Sequence, residues 1–205
     1  WLHETTGAKK LCIAGGVALN CVANGRLARE SPFENIWIQP AAGDNGIAIG
    51  CAYYGYLALL KQKRNFVMGH AYLGCRYDES DTAEARKPWH VRFALRAERV
   101  PKVATKTAEL LTEGNVIGWF QGGSEFGPRA LGNRSILGDA RHPEMQKKLN
   151  LKIKYREGFR PFAPSVIEEC NAEFFELDRP TPYMLLVAQV RKERCNPLPD
   201  DYDTR

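Results

Sequence analysis

Lys10-Leu11-Cys12-Ile13-Ala14-Gly15-Gly16-Val17-Ala18-Leu19-Asn20 is the stretch that decides the fold class. Its first five residues, four of them apolar, read as a short buried strand, Gly15-Gly16 turns the chain, and residues 18–30 have helical composition up to Ser31-Pro32. The order then repeats. Asn35-Ile36-Trp37-Ile38 reads as a second strand, Gln39-Pro40-Ala41-Ala42-Gly43 as a loop, and Asp44 as a cap for a helix from Gly46 to about Lys63. Successive strand-loop-helix units predict a mixed α/β layer structure with ligands held at the carboxyl ends of the strands.

Downstream of residue 65 the periodicity fades. Gly74-Cys75-Arg76-Tyr77-Asp78-Glu79-Ser80-Asp81 is polar and turn-rich, and a domain boundary is placed in this region. Residues 91–95 then read as a strand, residues 102–113 as a helix bounded by Pro101 and Gly114, and residues 115–120 as a strand running into Gln121-Gly122-Gly123. A short helix is expected over 143–150 and strands over 162–167 and 184–190.

The 205 residues are 44% hydrophobic and 26% charged, which is globular composition and excludes a disordered or fibrous chain. No apolar run is long enough to span a membrane, and no targeting segment is visible. The chain opens on Trp1 rather than Met and is read as a piece of something longer. Cysteines at 12, 21, 51, 75, 170 and 195 show no C-x-x-C spacing and point to a reducing cytoplasm. Residues 126–161 carry nine Lys and Arg against three Asp and Glu, while 166–205 carry five against nine. Positive charge focused in so short a window favours a small, highly charged anion over a broad nucleic-acid footprint.

Two constellations have the residue types for such an anion. In the first, Gly15-Gly16 with the following helix can present backbone N–H groups to a phosphate, and Asp44 beside it could hold a metal ion, organise a nucleotide, or simply cap its helix. In the second, residues 121–135 combine four glycines with Arg129, Asn133, Arg134 and Ser135, followed by Lys152-Ile153-Lys154-Tyr155-Arg156 and Phe159-Arg160-Pro161. If residues 152–156 are extended, Lys152, Lys154 and Arg156 project to one face, where they repel unless an anion sits among them. A solvated basic strand edge is the alternative. None of the four histidines has a partner at metal-ligand spacing.

The strings G-G-V-A-L-N at 15–20, Q-P-A-A-G-D-N-G at 39–46, A-Y-L-G at 71–74, E-F-G-P-R-A-L-G-N-R-S-I-L at 125–137 and R-P-F-A-P-S-V at 160–166 resemble the O-carbamoyltransferases that act on nodulation factors and on antibiotics such as tobramycin and cephems. The similarity runs from about residue 10 to 177. Cys75 departs from it, since the family usually places Pro after Y-L-G.

The resemblance implies that residues 1–70 close a sugar-kinase/actin-like domain, that 71–90 are a linker, and that 91–205 are a partial YrdC-like domain that forms carbamoyl adenylate. It implies ATP and carbamoyl phosphate as substrates and a hydroxyl-bearing small molecule or oligosaccharide as acceptor. It implies a divalent metal of the Fe or Mg class with Asp44 as one ligand, the histidine ligands lying upstream of the matched stretch. Gly15, Gly16, Val17, Asn20 and Asn45 match nucleotide-binding positions. Lys154, Arg156 and Arg129 match the catalytic cations, and Asn133, Arg134, Ser135, Arg160 and Ser165 the carbamoyl phosphate and nucleotide site. A homodimer is left open, no membrane is expected, and nucleic acid is disfavoured as a partner. The competing reading is an RNA-binding or tRNA-modification-related YrdC-like module, which needs a wider basic surface with interleaved aromatics.

Overall fold

The structure, a computed structural model, describes residues 1–93 and 96–197. In chain order its elements are α1 (Leu2–Thr6), β1 (Lys10–Ile13), α2 (Cys21–Glu30), β2 (Asn35–Ile38), α3 (Asn45–Tyr53), α4 (Glu79–Phe93), α5 (Val103–Thr112), β3 (Ile117–Phe120), β4 (Arg134–Leu137), α6 (Met145–Lys148) and α7 (Asn171–Phe174). The architecture is mixed α/β, with two small sheets of two strands each among the described residues. The chain divides into two compact units, Trp1–Ile49 with Ser165–Arg205, and Gly50–Pro164. The expected boundaries at 70 and 91 both fall inside the second unit.

In the first unit β1 pairs parallel with β2, from Lys10 opposite Asn35 to Ile13 opposite Ile38. Buried Ala18, Ile38, Ala42 and Leu185 form its core, with Ile13, Ile36, Tyr183 and Leu186 packed against them. The Gly15-Gly16 turn leads first into a 3₁₀ turn, Gly16–Leu19, and only then into α2, because Asn20 interrupts the helix and accepts the Ala23 N–H on Oδ1 at 3.1 Å. Residues 184–190 do not form the expected strand; Val190 alone makes an antiparallel bridge, to Phe175. Side chains from α2 take the place of a neighbouring strand there. Asn24 Nδ2 donates to the Leu185 carbonyl at 3.0 Å and Arg29 to the Val187 carbonyl at 3.0 Å.

In the second unit β3 and β4 pair antiparallel, from Ile117 opposite Leu137 to Phe120 opposite Arg134. α5 and β3 lie where the sequence places them, and Gly114 follows α5 with φ of 82°. Residues 91–93, read as a strand, are the end of α4, and residues 94–95 of that expected strand lie outside the described residues. The helix wins because it is capped from both directions: Asp78 Oδ1 accepts the Asp81 N–H at 2.9 Å while Asp81 Oδ2 accepts the Asp78 N–H at 2.9 Å. The N–H of Asp81 and the hydroxyl of Ser80 also hold the Asp78 carboxyl below its ordinary range. No strand forms over 162–167, where Pro161 and Pro164 remove ladder donors.

The chain from Leu149 to Lys154 is a wide π-helical turn continuing α6, and Tyr155 ends it in the left-handed region at φ 49°, ψ 50°. Residues 152–156 are therefore not extended, and the alternating cationic face expected of them is not formed. Among the described residues no helix is long and apolar enough to cross a membrane. All six thiols are free.

Candidate functional site

Parallel pairing puts the carboxyl ends of β1 and β2 at the same end of their sheet, so both glycine-bearing loops of the first unit emerge there. The Gly15 N–H donates to the Ala42 carbonyl at 2.8 Å, joining Gly15-Gly16-Val17 to Ala42-Gly43-Asp44. Gly15 sits at φ 100°, ψ 155°, which a side chain would oppose. Gly46 is required for a different reason: a Cβ there would stand 1.9 Å from the Ala41 carbonyl oxygen. Gly16, Val17, Asp44 and Asn45 are open to solvent or nearly so, whereas the side-chain oxygen of Asn20 is engaged in capping α2. Among the described residues no three His, Cys, Asp or Glu side chains cluster as a metal site. Asp44 alone brings one carboxylate, too few ligands to hold a divalent ion.

The second constellation lies wholly in the other unit and is built on a carboxylate. Glu125 Oε1 accepts the N–H groups of Leu131 at 2.7 Å, Asn133 at 2.8 Å and Arg134 at 3.2 Å. Burial pushes the Glu125 carboxyl upward, but the Leu131, Asn133 and Arg134 amides outweigh it and hold the group below its ordinary value. Loop amides that the sequence offers as a phosphate cradle are thus taken by the chain's own anion. Asn133 Nδ2 donates to the Gly123 carbonyl at 2.8 Å, and Ser135 Oγ accepts the Gly132 N–H at 2.9 Å.

This loop is stitched to the A-Y-L-G segment. Gly74 N–H donates to Ser124 O at 2.9 Å, Ser124 N–H to Cys75 O at 3.1 Å, and Phe126 N–H to Ala71 O at 2.6 Å. The Tyr72 hydroxyl donates to the Leu131 carbonyl at 2.8 Å. Close approach requires glycine at 123, where a Cβ would lie 3.0 Å from Tyr72 O and 3.2 Å from Gly74 O. Two of the sequence strings are therefore one folded object.

The cations divide into those the fold uses and those it leaves to solvent. Arg134 donates to the carbonyls of Gln121, Gly122, Cys75 and Asn133, and its guanidinium lies 3.6 Å from the centroid of the Phe120 ring. Its donors serve the loop. Arg160 pairs with Glu157 at 2.8 Å and Arg141 with Asp139 at 2.7 Å. Lys152 and Lys154 are exposed at the end of the π-helical turn, with no hydrogen bond or ion pair among the described residues, and Arg129 is half-buried. Ser165 is exposed and belongs to the other unit.

Arg156 is held differently. Its Nε donates to Asn150 Oδ1 at 2.7 Å, its backbone N–H to Asn150 O at 3.1 Å, and its guanidinium lies 4.9 Å from the Phe162 ring centroid. Asn150 is fully buried and its Nδ2 also donates to Arg160 O at 2.8 Å and Gly158 O at 3.2 Å. Sequence reading passes over Asn150 and Glu125. The one available signal for Glu125 is that it is the only acid in residues 121–135.

Two open grooves lie elsewhere. One, of about 690 Å³, is lined by Gly25, Arg29, Glu176, Arg179 and Arg191 in the first unit. The other, of about 620 Å³, is lined by Tyr77, Arg86, Arg99, Phe120, Gln121 and Gly122 in the second. Neither takes in Arg129, Lys154 or Arg156.

Residues 1–53 match the family model described as Carbamoyltransferase N-terminus, and residues 108–202 the one described as Carbamoyltransferase C-terminus. The chain belongs to the carbamoyltransferase family. Both constellations fall within these two matched regions, apart from the A-Y-L-G segment. Among its relatives, the Nodulation protein NolNO of Sinorhizobium fredii is 44% identical over 95% of this chain and 29% of its own length. The Nodulation protein NolO of Bradyrhizobium diazoefficiens is 42% identical over 96% of this chain and 36% of its own. The Uncharacterized protein sll1178 of Synechocystis sp. is 52% identical over 96% of this chain and 33% of its own length. The chain spans about a third of the length of these curated relatives.

Proposed function

We propose that this sequence serves an ATP-dependent O-carbamoyltransferase that makes carbamoyl adenylate and passes the carbamoyl group to a hydroxyl of a small-molecule or oligosaccharide acceptor. On this reading residues 91–205 act as a YrdC-like adenylate-forming domain, and residues 1–70 contribute to a sugar-kinase/actin-like domain. The observation that carries it is the pairing of carbamoyltransferase family matches at both ends of the chain with a guanidinium, that of Arg156, fixed at Nε while its two terminal nitrogens make no hydrogen bond among the described residues.

Water first releases phosphate from carbamoyl phosphate, leaving carbamate. A carbamate oxygen then attacks the α-phosphorus of ATP, the bond to the β,γ-phosphates breaks, and pyrophosphate leaves. Two anions meet in that step, so fixed cations must offset their repulsion and stabilise charge spreading over the transferring phosphoryl group. Lys154 and Arg156 supply charge without proton transfer, and Arg129 and Arg160 complete the set. Arg134, Asn133 and Ser135 serve by shaping the glycine-rich loop. In the first unit, the amides of Gly16 and Val17, with Asn45, meet nucleotide phosphates, while Gly15 and Asn20 serve by shaping the turn through their bonds to Ala42, Val17 and Ala23. Asp44 would give one ligand to a divalent metal that lends Lewis-acid chemistry when bound. The setting is the cytoplasm.

Arg156→Ala tests the reading. It should abolish carbamoyl-phosphate-dependent pyrophosphate release by the carbamoyltransferase bearing this sequence; release at the unaltered rate would refute the assignment.

A further inference from the structure

The fully buried side chain of Asn150 is the one large side chain whose surface is entirely removed from water among the described residues, and it is polar. Burying a primary amide is costly unless its donors and acceptor are all engaged. Here they are: Nδ2 donates to the carbonyls of Gly158 and Arg160, and Oδ1 accepts the Nε–H of Arg156. The backbone carbonyl of Asn150 also accepts the Arg156 N–H.

From these contacts we infer that Asn150 is a positioning residue for Arg156. It fixes the plane of the guanidinium by holding Nε, so that the two terminal nitrogens present a forked pair of donors to a phosphate oxygen pair. An unheld arginine would lose rotamer freedom on each binding event, and prior fixation removes that cost. Nδ2 simultaneously ties down residues 158–160, and Gln146 Nε2 adds bonds to the carbonyls of Phe159 at 3.3 Å and Arg160 at 3.1 Å. The turn that carries Arg156 is therefore closed on both sides by side-chain amides. This inference rests on the proposed role of Arg156 in anion binding.

A double-mutant cycle on this chain tests it, with carbamoyl phosphate and inorganic phosphate as probes in calorimetric titrations and thermal unfolding recorded for each variant. Asn150→Ala should weaken both probes about tenfold, and adding it to Arg156→Ala should weaken them no further than Arg156→Ala alone. A purely structural role would lower the unfolding temperature without this coupling, and additive losses would overturn the inference. Should Asn150→Ala fail to fold, the Arg156 Nε–H signal of the unaltered chain decides by nuclear magnetic resonance: a signal already slowed in solvent exchange before phosphate is added supports positioning, and one that is slowed only on adding phosphate sinks it. Unchanged binding in Arg156→Ala would instead overturn the anion role of Arg156 itself.

Discussion

Asn133 donates its backbone N–H to Glu125 Oε1 at 2.8 Å, across eight residues of a glycine-rich loop. With Leu131 and Arg134 sharing the same oxygen, the carboxylate is the hub on which the loop folds. Glu125→Gln should cost about 1–3 kcal/mol, because the charge that strengthens three amide bonds is removed. The sign of the pH effect follows from the lowered folded pKa. The stabilisation is complete above the ordinary value of 4.5 and fades as pH falls through the lower folded value. Urea midpoints of wild type and variant should therefore converge in acid; a constant gap at every pH would contradict the hub role.

Gly46 and Gly16 make an internal contrast. A Cβ at 46 would collide with the Ala41 carbonyl oxygen at 1.9 Å, whereas one at 16 would meet nothing within 4 Å. Gly46→Ala should destabilise the chain by about 2 kcal/mol or more, since backbone must move, while Gly16→Ala should stay within about 0.5 kcal/mol. Equal denaturation midpoints for the two variants would show that the loop after β2 is not held as described.

Asn24 is buried and spans 161 residues of sequence, donating to Ala18 O at 2.8 Å and Leu185 O at 3.0 Å. Asn24→Ala would strand two carbonyls in the core of the first unit, at a cost of about 1–3 kcal/mol. Hydrogen exchange would register the loss first at residues 183–187. Protection there equal to wild type would argue against the link.

Polyanion binding is the fourth test. Of the nine cations between 126 and 161, Arg134 and Lys148 are held by carbonyls while Arg141, Lys147 and Arg160 are paired with acids, so more than half are already engaged within the chain. Titration with carbamoyl phosphate should change little between two salt concentrations, and tRNA should bind weakly. A log–log salt slope steeper than about −3 for tRNA would favour a nucleic-acid module instead.

How far the residues foretold the structure depends on the range of the forces involved. β1, β2, α5 and β3 were legible because short apolar runs punctuated by Gly, Pro and Asn are local signals. The run at 184–190 has strand composition but lacks a partner strand among the described residues, and α2 supplies Asn24 and Arg29 in its place. Residues 91–93 are helical because a reciprocal Asp78–Asp81 cap starts a helix twelve residues earlier. In the site, the arginines and glycines were visible as types, but which were already committed was not. Arg134 looks like an anion ligand until four carbonyls are found around it, and Asn150 looks unremarkable until its three partners are named.

Tyr155 bears on what changes the chain can accept. With φ at 49° it stands between Lys154 and Arg156 as a reversal in the backbone, so the residue between the two cations is a hinge pin whose shape matters more than its ring. Asparagine, aspartate or glycine would sit there at ease, whereas valine or isoleucine would fight the left-handed twist and swing the two flanking cations out of alignment. A library randomised at this single codon should retain the first three and discard the branched pair.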